Sequence, residues 1–499
     1  MKTINNPTVF PTPPAARMLL KRLGCFTTFL AICASSTWAV TIPSSSPSTA
    51  TSVDPALLSI SLEFFAFPGY MQLPSTTTCL ANLAGLRGTA PAVRIGGTTQ
   101  DRATYNAQLS TPVNYTVASS GDAPTSLTYG PQFFTLASQL QGDVTVGLNR
   151  QLNNQANALQ AAQQAKSTVH NLLALELGNE PDLYGSGSPI IGSSGWNPSA
   201  DGASQKAWET ALAPSVGDIF QAAVYLSFPS WSTANLVPLL GSAISHVKTF
   251  SGHSYPQSAC GGASTNLQTL MSHSGIVSYT RQYKSEAAAA HAQGKPYFLG
   301  ETNSATCGGG GISPTFGAAL WIVDYVLQGA VNGIDRLYFH QGTIGNCQYC
   351  FWGRYTTGAP FYGAFFVSQF LGTERGTRLA MLDDGTGAVA TYALYSSSNQ
   401  PLRVLIYNSA YYSGSGTRSA ASVPLSGLAS GSGSVRALRL TAPSAPARVD
   451  QGAAVTIGGG LTFAGDCSQA GAQTMETVPV AGGTATVSVK ASEALIVFL

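Results

Sequence analysis

Eight short apolar runs, at residues 57–66, 92–95, 144–148, 172–177, 221–226, 246–250, 297–299 and 334–339, are separated by longer stretches, several of them of helical composition. That alternation is the mark of βα units, and it limits what this part of the chain can fold into. The helix-compatible stretches include 151–171, 266–293 with its alanine run, 317–332, and 362–371 after the last strand. Eight such units predict an α/β fold, a (β/α)8 TIM barrel over residues 57–372. From about residue 375 the texture changes. Gly/Ser/Thr-rich turns separate alternating runs at 388–395, 402–407, 435–440, 484–489 and 494–499, with no helical period. Residues 373–499 are therefore predicted to form an antiparallel β-sandwich. Only 9% of the residues are charged and 44% are hydrophobic, too apolar a composition and too small a net charge for a disordered chain. A balance of 24 Lys+Arg against 22 Asp+Glu, without a basic stripe, argues against nucleic acid as a partner.

The amino terminus carries its own information. Lys21 and Arg22 precede a short apolar run that ends in small residues and Thr37-Trp38-Ala39. This predicts a secretory signal peptide over residues 1–39, with Met18 as an alternative start, and an extracellular product with no membrane association after cleavage. The run is nearer a dozen apolar residues than the roughly 18 a membrane anchor requires. A Ser/Thr/Pro-rich linker is expected at 40–56. Removing residues 1–39 takes away Lys2, Arg17, Lys21 and Arg22 and no acid, so 20 basic groups face 22 acidic ones and the charge becomes −2. Cys79, Cys260, Cys307, Cys347, Cys350 and Cys467 remain, and an oxidising compartment predicts disulfides among them. The Cys347-Gln-Tyr-Cys350 spacing fits disulfide partners in a loop better than a redox or zinc motif. Asn114-Tyr115-Thr116 is an N-glycosylation sequon in a polar stretch.

Reactive groups in a (β/α)8 barrel sit where strands end. The fourth run delivers Asn179-Glu180-Pro181-Asp182 and the seventh delivers Glu301-Thr302-Asn303. Only nine glutamates occur in the chain, and two of them stand at these strand ends. Paired carboxyl groups suit glycosidic bond cleavage, in which one protonates the leaving oxygen and the other attacks the anomeric carbon or positions water. Taken alone, Glu180 also fits a helix cap.

Asn179-Glu180-Pro181 and Glu301 resemble the catalytic pattern of the retaining clan A glycoside hydrolases. The set Ser61–Phe67, Val93–Asp101, Leu177–Asp182, Ser251–Pro256 and Leu337–Gly342 resembles glycoside hydrolase family 79, in particular its fungal and bacterial β-glucuronidases, from about residue 57 to the end. The resemblance implies an exo-acting retaining β-glucuronidase, with Glu180 as acid/base and Glu301 as nucleophile. It also implies a glucuronic-acid-containing carbohydrate as substrate, with the 4-O-methyl form among the candidates. Arg94 and the Tyr255 hydroxyl are suited to keep Glu301 ionised. Asn179 would by resemblance contact the sugar 2-hydroxyl, and Glu63 other ring hydroxyls. No metal ion or organic cofactor is needed by this mechanism.

An acidic sugar calls for an anion site. Between Glu301 and Cys350 the only basic side chain of Arg or Lys type is Arg336, which precedes the end of the eighth strand. The amides near Gly308, in the Cys307–Gly311 loop, and the Tyr349 hydroxyl are therefore predicted to hold the uronic carboxylate. A disulfide from Cys307 to Cys347 or Cys350 would tie these loops together. Two alternatives stay open: an endo-acting, heparanase-like glycosidase, which a mature charge of −2 disfavours, and a catalytically silent carbohydrate-binding protein on the same barrel.

Overall fold

The computed structural model describes residues 39–499 apart from 194, 355–356 and 430–432, and in it eight parallel strands close into a barrel. In chain order they are β1 Leu58–Glu63, β2 Val93–Gly96, β3 Val144–Leu148, β4 Leu172–Leu177, β5 Phe220–Tyr225, β6 Val247–Ser254, β7 Tyr297–Thr302 and β8 Arg336–Gln341. β8 closes the ring against β1, from Leu337 opposite Leu58 to Gln341 opposite Leu62. Every residue of β1 is buried, as both faces of a parallel strand under a helical layer must be. β6 and β7 run beyond their apolar stretches because the ladder holds polar residues too, pairing His253 with Glu301 and Ser254 with Thr302.

Side-chain caps set the helix boundaries. Asn154 accepts from the Asn157 amide at the start of Gln155–Thr168, and Thr315 does the same for Phe316–Val331 through the Ala318 amide. The helix-compatible stretch 266–293 holds three helices, Leu267–Met271, His273–Thr280 and Lys284–His291, and Asn266 and Ser272 cap the first two. Helices Phe316–Val331 and Ala359–Leu371 pack closely, and a Cβ on Gly363 would stand 2.1 Å from the Ala319 carbonyl oxygen. Only glycine fits there.

The carboxy-terminal strands are β9 Arg378–Met381, β10 Val389–Tyr395, β11 Pro401–Asn408, β12 Ala420–Ser426, β13 Ser434–Thr441, β14 Glu476–Ala481, β15 Thr484–Lys490 and β16 Glu493–Phe498. They are antiparallel in the order β12-β15-β14-β13-β16-β11-β10-β9. Val423 and Leu425 of β12 and Val487 and Val489 of β15 share one buried cluster with Val404 and Ile406 of β11 and Leu495 and Val497 of β16, which makes the layers of a sandwich. The segment expected as a linker is part of this sheet. Val40–Thr41 pairs with β12 and Thr51–Ser52 with β9, and Ile42 and Ala50 join the sandwich core. The backbone groups of these paired residues are thus satisfied by the ladder. The expected leader falls almost wholly in residues 1–38, outside the described residues. Among those described, no helix is long and apolar enough to cross a membrane.

A buried imidazole joins barrel to sandwich. His273 Nδ1 lies 2.8 Å from Asp324 and Nε2 lies 2.9 Å from Asp383, while Tyr392 of β10 donates to Asp324. Burial alone would push His273 down, but Asp324 and Asp383 overrule it and raise its pKa to about 10. Because the folded value lies above the unfolded value of about 6.5, this stabilisation is complete below that pH and is lost as pH rises through about 10. His273→Ala leaves two buried carboxylates without their cation and is expected to cost about 3–5 kcal/mol near pH 6. Thermal melts across pH check this: the gap between wild type and variant should narrow towards pH 10, and a pH-independent gap would rule out the charged clamp.

Candidate active site

The end of β4 is built as a tight turn. Gly178 has φ 82°, and a Cβ there would fall 2.2 Å from the Tyr184 hydroxyl. Glu180 follows at φ 46°, in the left-handed region that costs a non-glycine residue roughly 1–2 kcal/mol. Asp101, carried by the loop after β2, holds this turn: its Oδ2 accepts from the Asn179 amide at 2.7 Å and from the Tyr184 hydroxyl at 2.7 Å. Strain held by surrounding bonds at a strand end is characteristic of a functional position.

Across the barrel, Glu301 leaves β7 into a ring of donors. Arg94 Nη1 donates to its Oε2 at 2.6 Å and the Tyr255 hydroxyl to its Oε1 at 2.7 Å, while His340 Nδ1 stands 3.7 Å from Oε2. Arg94 is fixed in turn. It donates to Glu176 through Nε at 3.1 Å, to Asn179 Oδ1 at 2.8 Å and to Ser61 Oγ at 3.2 Å. Gln221 donates to the other Glu176 oxygen at 2.6 Å. With its oxygen on Arg94, the Asn179 amide group keeps its nitrogen as a donor for a ligand. Glu63 accepts from the Thr99 amide at 3.1 Å and lies 3.3 Å from His340 Nε2.

The two carboxyl groups are polarised in opposite directions. Burial pushes Glu180 well above the usual carboxyl range, and the negative charge of Glu301 adds to it. Burial would raise Glu301 too, but the positive charges of His340 and Arg94 and the Tyr255 hydrogen bond outweigh it and hold Glu301 well below that range. Burial lowers His253 to about 4, so the 2.9 Å contact of its Nδ1 with Glu180 Oε1 is made by a neutral ring at neutral pH. One ligand-type atom from each of Glu180, His253 and Glu301 lies within 4.8 Å of the others.

A cavity of about 1090 Å³ opens over this pair. Of the residues expected at the site, Glu63, Glu180, Tyr255, Glu301, Gly308 and Tyr349 line it, and Arg94 and Asn179 are buried beside the carboxylates. Within the glycine loop the Gly309 and Gly310 amides are taken by Thr306 and Ser313, whereas the Gly308 amide has no partner among the described residues, and Gly308 lines the cavity. Arg336 points elsewhere, to Asp54 and Asp143. Cys307 pairs with Cys260, not with Cys347 or Cys350, and those two pair with each other. The reason is proximity: Gln257–Ser258 and Ala305–Thr306 form a small parallel ladder that brings the β6 and β7 loops side by side. The Gln348 amide donates to the Gly308 carbonyl at 2.7 Å, which links the β8 loop to the same wall.

Sequence reasoning passed over several groups here. His340 lies in the quoted Leu337–Gly342 motif, and Glu176 stands on β4 two residues before Gly178, but only the fold turns both towards Arg94 and Glu301. Arg102, from the loop after β2, also lines the cavity, outside the Glu301–Cys350 stretch in which Arg336 is the only Arg or Lys.

Comparison with known proteins agrees with this geometry. The glycosyl hydrolase family 79 C-terminal beta domain matches residues 391–496. A β-glucuronidase of Neurospora crassa is 31% identical over 435 residues, covering 75% of each chain, and one of Aspergillus niger is 31% identical over 389 residues, covering 70% of this chain and 71% of its own. The crystal structure of a 4-O-α-L-rhamnosyl-β-D-glucuronidase from Fusarium oxysporum 12S is 48% identical, covers 93% of this chain and all of its own, and superposes with a TM-score of 0.89. A family 51 arabinofuranosidase from Xanthomonas axonopodis pv. citri, 12% identical with a TM-score of 0.62, shares the fold alone. With relatives at this identity over this length, and with two oppositely polarised carboxyl groups at the ends of β4 and β7, the chain belongs to glycoside hydrolase family 79.

Proposed function

We propose that this enzyme is an exported, exo-acting retaining β-glucuronidase that releases terminal β-linked glucuronic acid from a glycan. The observation that carries the mechanism is the opposed polarisation of Glu180 and Glu301 across a gap of at most 4.8 Å between their nearest ligand atoms. That gap supports the close spacing of about 5–5.5 Å found between carboxyl groups in retaining enzymes, not the roughly 6.5–9.5 Å of inverting ones. Ionised Glu301 attacks the anomeric carbon while protonated Glu180 delivers its proton to the departing oxygen. The glycosyl ester then forms on Glu301, whose negative charge disappears, and this lowers Glu180 and readies it to take a proton from the incoming water. Attack by that water restores Glu301. Three disulfides support the reading of an exported protein. An endo-acting enzyme on an acidic polymer needs a basic cleft. Among the described lining residues, however, one arginine faces four acidic groups, Glu63, Asp122, Glu180 and Glu301.

Hydrolysis of 4-nitrophenyl β-D-glucuronide followed by proton NMR tests this. The first sugar released should be the β-anomer; an α-anomer first would establish inversion, and no hydrolysis would remove the glucuronidase reading. Loss of a hydrogen bond to a charged group amounts to about 1.5–3 kcal/mol, so Tyr349→Phe should lower kcat/KM for the glucuronide about 10- to 100-fold more than for the matching β-glucoside. Gly308→Val should act in the same direction. Equal losses on both substrates would refute the proposed carboxylate site.

A further inference from the structure

Asp101 is 4% exposed and is not among the residues that line the cavity, yet donors from two neighbouring loops converge on its carboxylate. Its Oδ1 accepts from the Arg150 amide at 3.0 Å and the Gln151 amide at 3.3 Å, in the loop after β3. Its Oδ2 accepts from the Asn179 amide and the Tyr184 hydroxyl, each at 2.7 Å, in the turn after β4. A carboxylate can answer all of these donors because it accepts through both oxygens and donates nothing.

Glu180 depends on that turn more than Glu301 depends on its own strand end. Glu301 is gripped through its side chain by Arg94 and Tyr255, whereas the Glu180 carboxyl has one hydrogen bond among the described residues, with the neutral ring of His253. Its place is therefore set from the backbone, by a residue at φ 46° that directly follows the amide held by Asp101. The Asn179 side chain is less sensitive to loss of that bond, since Arg94 fixes it separately at 2.8 Å. We propose that Asp101 is a positioning residue that acts through Glu180: by pinning the Asn179 amide it holds the acid/base carboxyl where its proton meets the departing oxygen. The inference rests on the acid/base reading of Glu180 and goes beyond it by assigning what keeps that group in place.

One segment then serves both halves of the reaction. Arg94 on β2 holds the charge of the nucleophile, and Asp101, in the turn Thr98–Arg102 that follows, holds the position of the acid. The role makes a specific demand on substrates. A proton delivered in the transition state matters most where the leaving group departs poorly without it. A misplaced Glu180 therefore penalises poor leaving groups above good ones, whereas a loosened fold or a disturbed sugar site penalises both alike.

Asp101→Asn tests this, because the amide brings one acceptor oxygen and an NH2 donor that must face either the Asn179 amide or the Arg150 and Gln151 amides. The variant should lose about 10²-fold in kcat/KM on methyl β-D-glucuronide, the scale of a displaced catalytic group, and a factor at least about tenfold smaller on 2,4-dinitrophenyl β-D-glucuronide, whose leaving group needs no proton. Tyr184→Phe removes one donor to Asp101 and keeps the ring stacked on Trp196, so it should fold and shift the ratio of the two substrates in the same direction, by about threefold or more. In a Glu180→Ala background, Asp101→Asn should add no more than about twofold to the loss on 4-nitrophenyl β-D-glucuronide, since residues that act as a unit are not additive. Equal losses on the methyl and dinitrophenyl substrates in Asp101→Asn overturn the proposal and place Asp101 in the fold; a full second loss on top of Glu180→Ala does the same. An unchanged ratio in Tyr184→Phe overturns it even where Asp101→Asn does not fold. Equal losses on the two substrates in Glu180→Ala itself remove the acid/base reading of Glu180, and this proposal with it.

Discussion

Glu301→Gln should reduce turnover on the order of 10⁵-fold, the scale expected when a covalent nucleophile is removed, while the protein still folds. The fold should tolerate the change because Arg94 keeps Glu176 and Asn179 as partners, and the Tyr255 hydroxyl can donate to an amide oxygen as it does to the carboxylate. Melting temperatures close to wild type with activity abolished would separate chemistry from stability. Glu301→Ala offers a sharper test, since it opens room on the face from which Glu301 attacks. Azide entering there displaces the leaving group once and yields the α-configured glycosyl azide. A β-configured azide from this variant would assign the nucleophile elsewhere.

Glu180→Ala should lose about 10²- to 10⁴-fold on natural linkages, as removal of a general acid does. The loss should be smaller on 4-nitrophenyl glucuronide, whose leaving group departs with little help from a proton. Here the glycosyl ester on Glu301 still forms but water attacks it slowly without a base, so azide should accelerate turnover and give the β-configured product. The pH profile distinguishes the roles further. Activity needs Glu180 protonated, so it should fall as pH rises through the raised value of that group, a value set by burial and the charge of Glu301. It needs Glu301 ionised, so the acid limb should lie below the ordinary carboxyl range. The two titrations belong to an interacting pair and appear as two macroscopic steps. Glu180→Ala should abolish the alkaline limb; a limb that survives would mean that another group supplies the proton.

Much of this organisation was legible in the sequence, for physical reasons. The runs at 144–148 and 172–177 coincide with β3 and β4 because a strand buried on both faces must be apolar almost throughout and stops where polar or turn residues begin. The same rule failed at β6, which continues through Ser251, His253 and Ser254, because polar residues stay in a strand when the ladder and neighbouring side chains satisfy them. Glu180 and Glu301 stood out because each comes within three residues of the end of an apolar run. Glu176 lies inside one, and nothing in a linear pattern says that it faces Arg94 across the barrel. Asp101 and Arg102 were out of reach for a similar reason: their effect depends on a β2 loop folding against β4 and over the cavity, a long-range contact without a local signature. Cysteine pairing likewise needs the adjacency of the β6 and β7 loops, which follows from barrel closure rather than from spacing.

The wall facing the catalytic pair is fastened before any sugar reaches it. Cys260–Cys307 holds the loop after β6 to the loop after β7, the Gln348 amide joins the latter to the loop after β8, and Cys347–Cys350 closes that last loop on itself around Tyr349. Tyr255, Gly308 and Tyr349 therefore sit on segments that have little conformational freedom left to surrender on binding. The entropy of arranging three loops is lost once, when the chain folds and oxidises, rather than with every turnover. If these residues hold the acidic sugar as proposed, its recognition is an inherited shape rather than a repeated act of ordering.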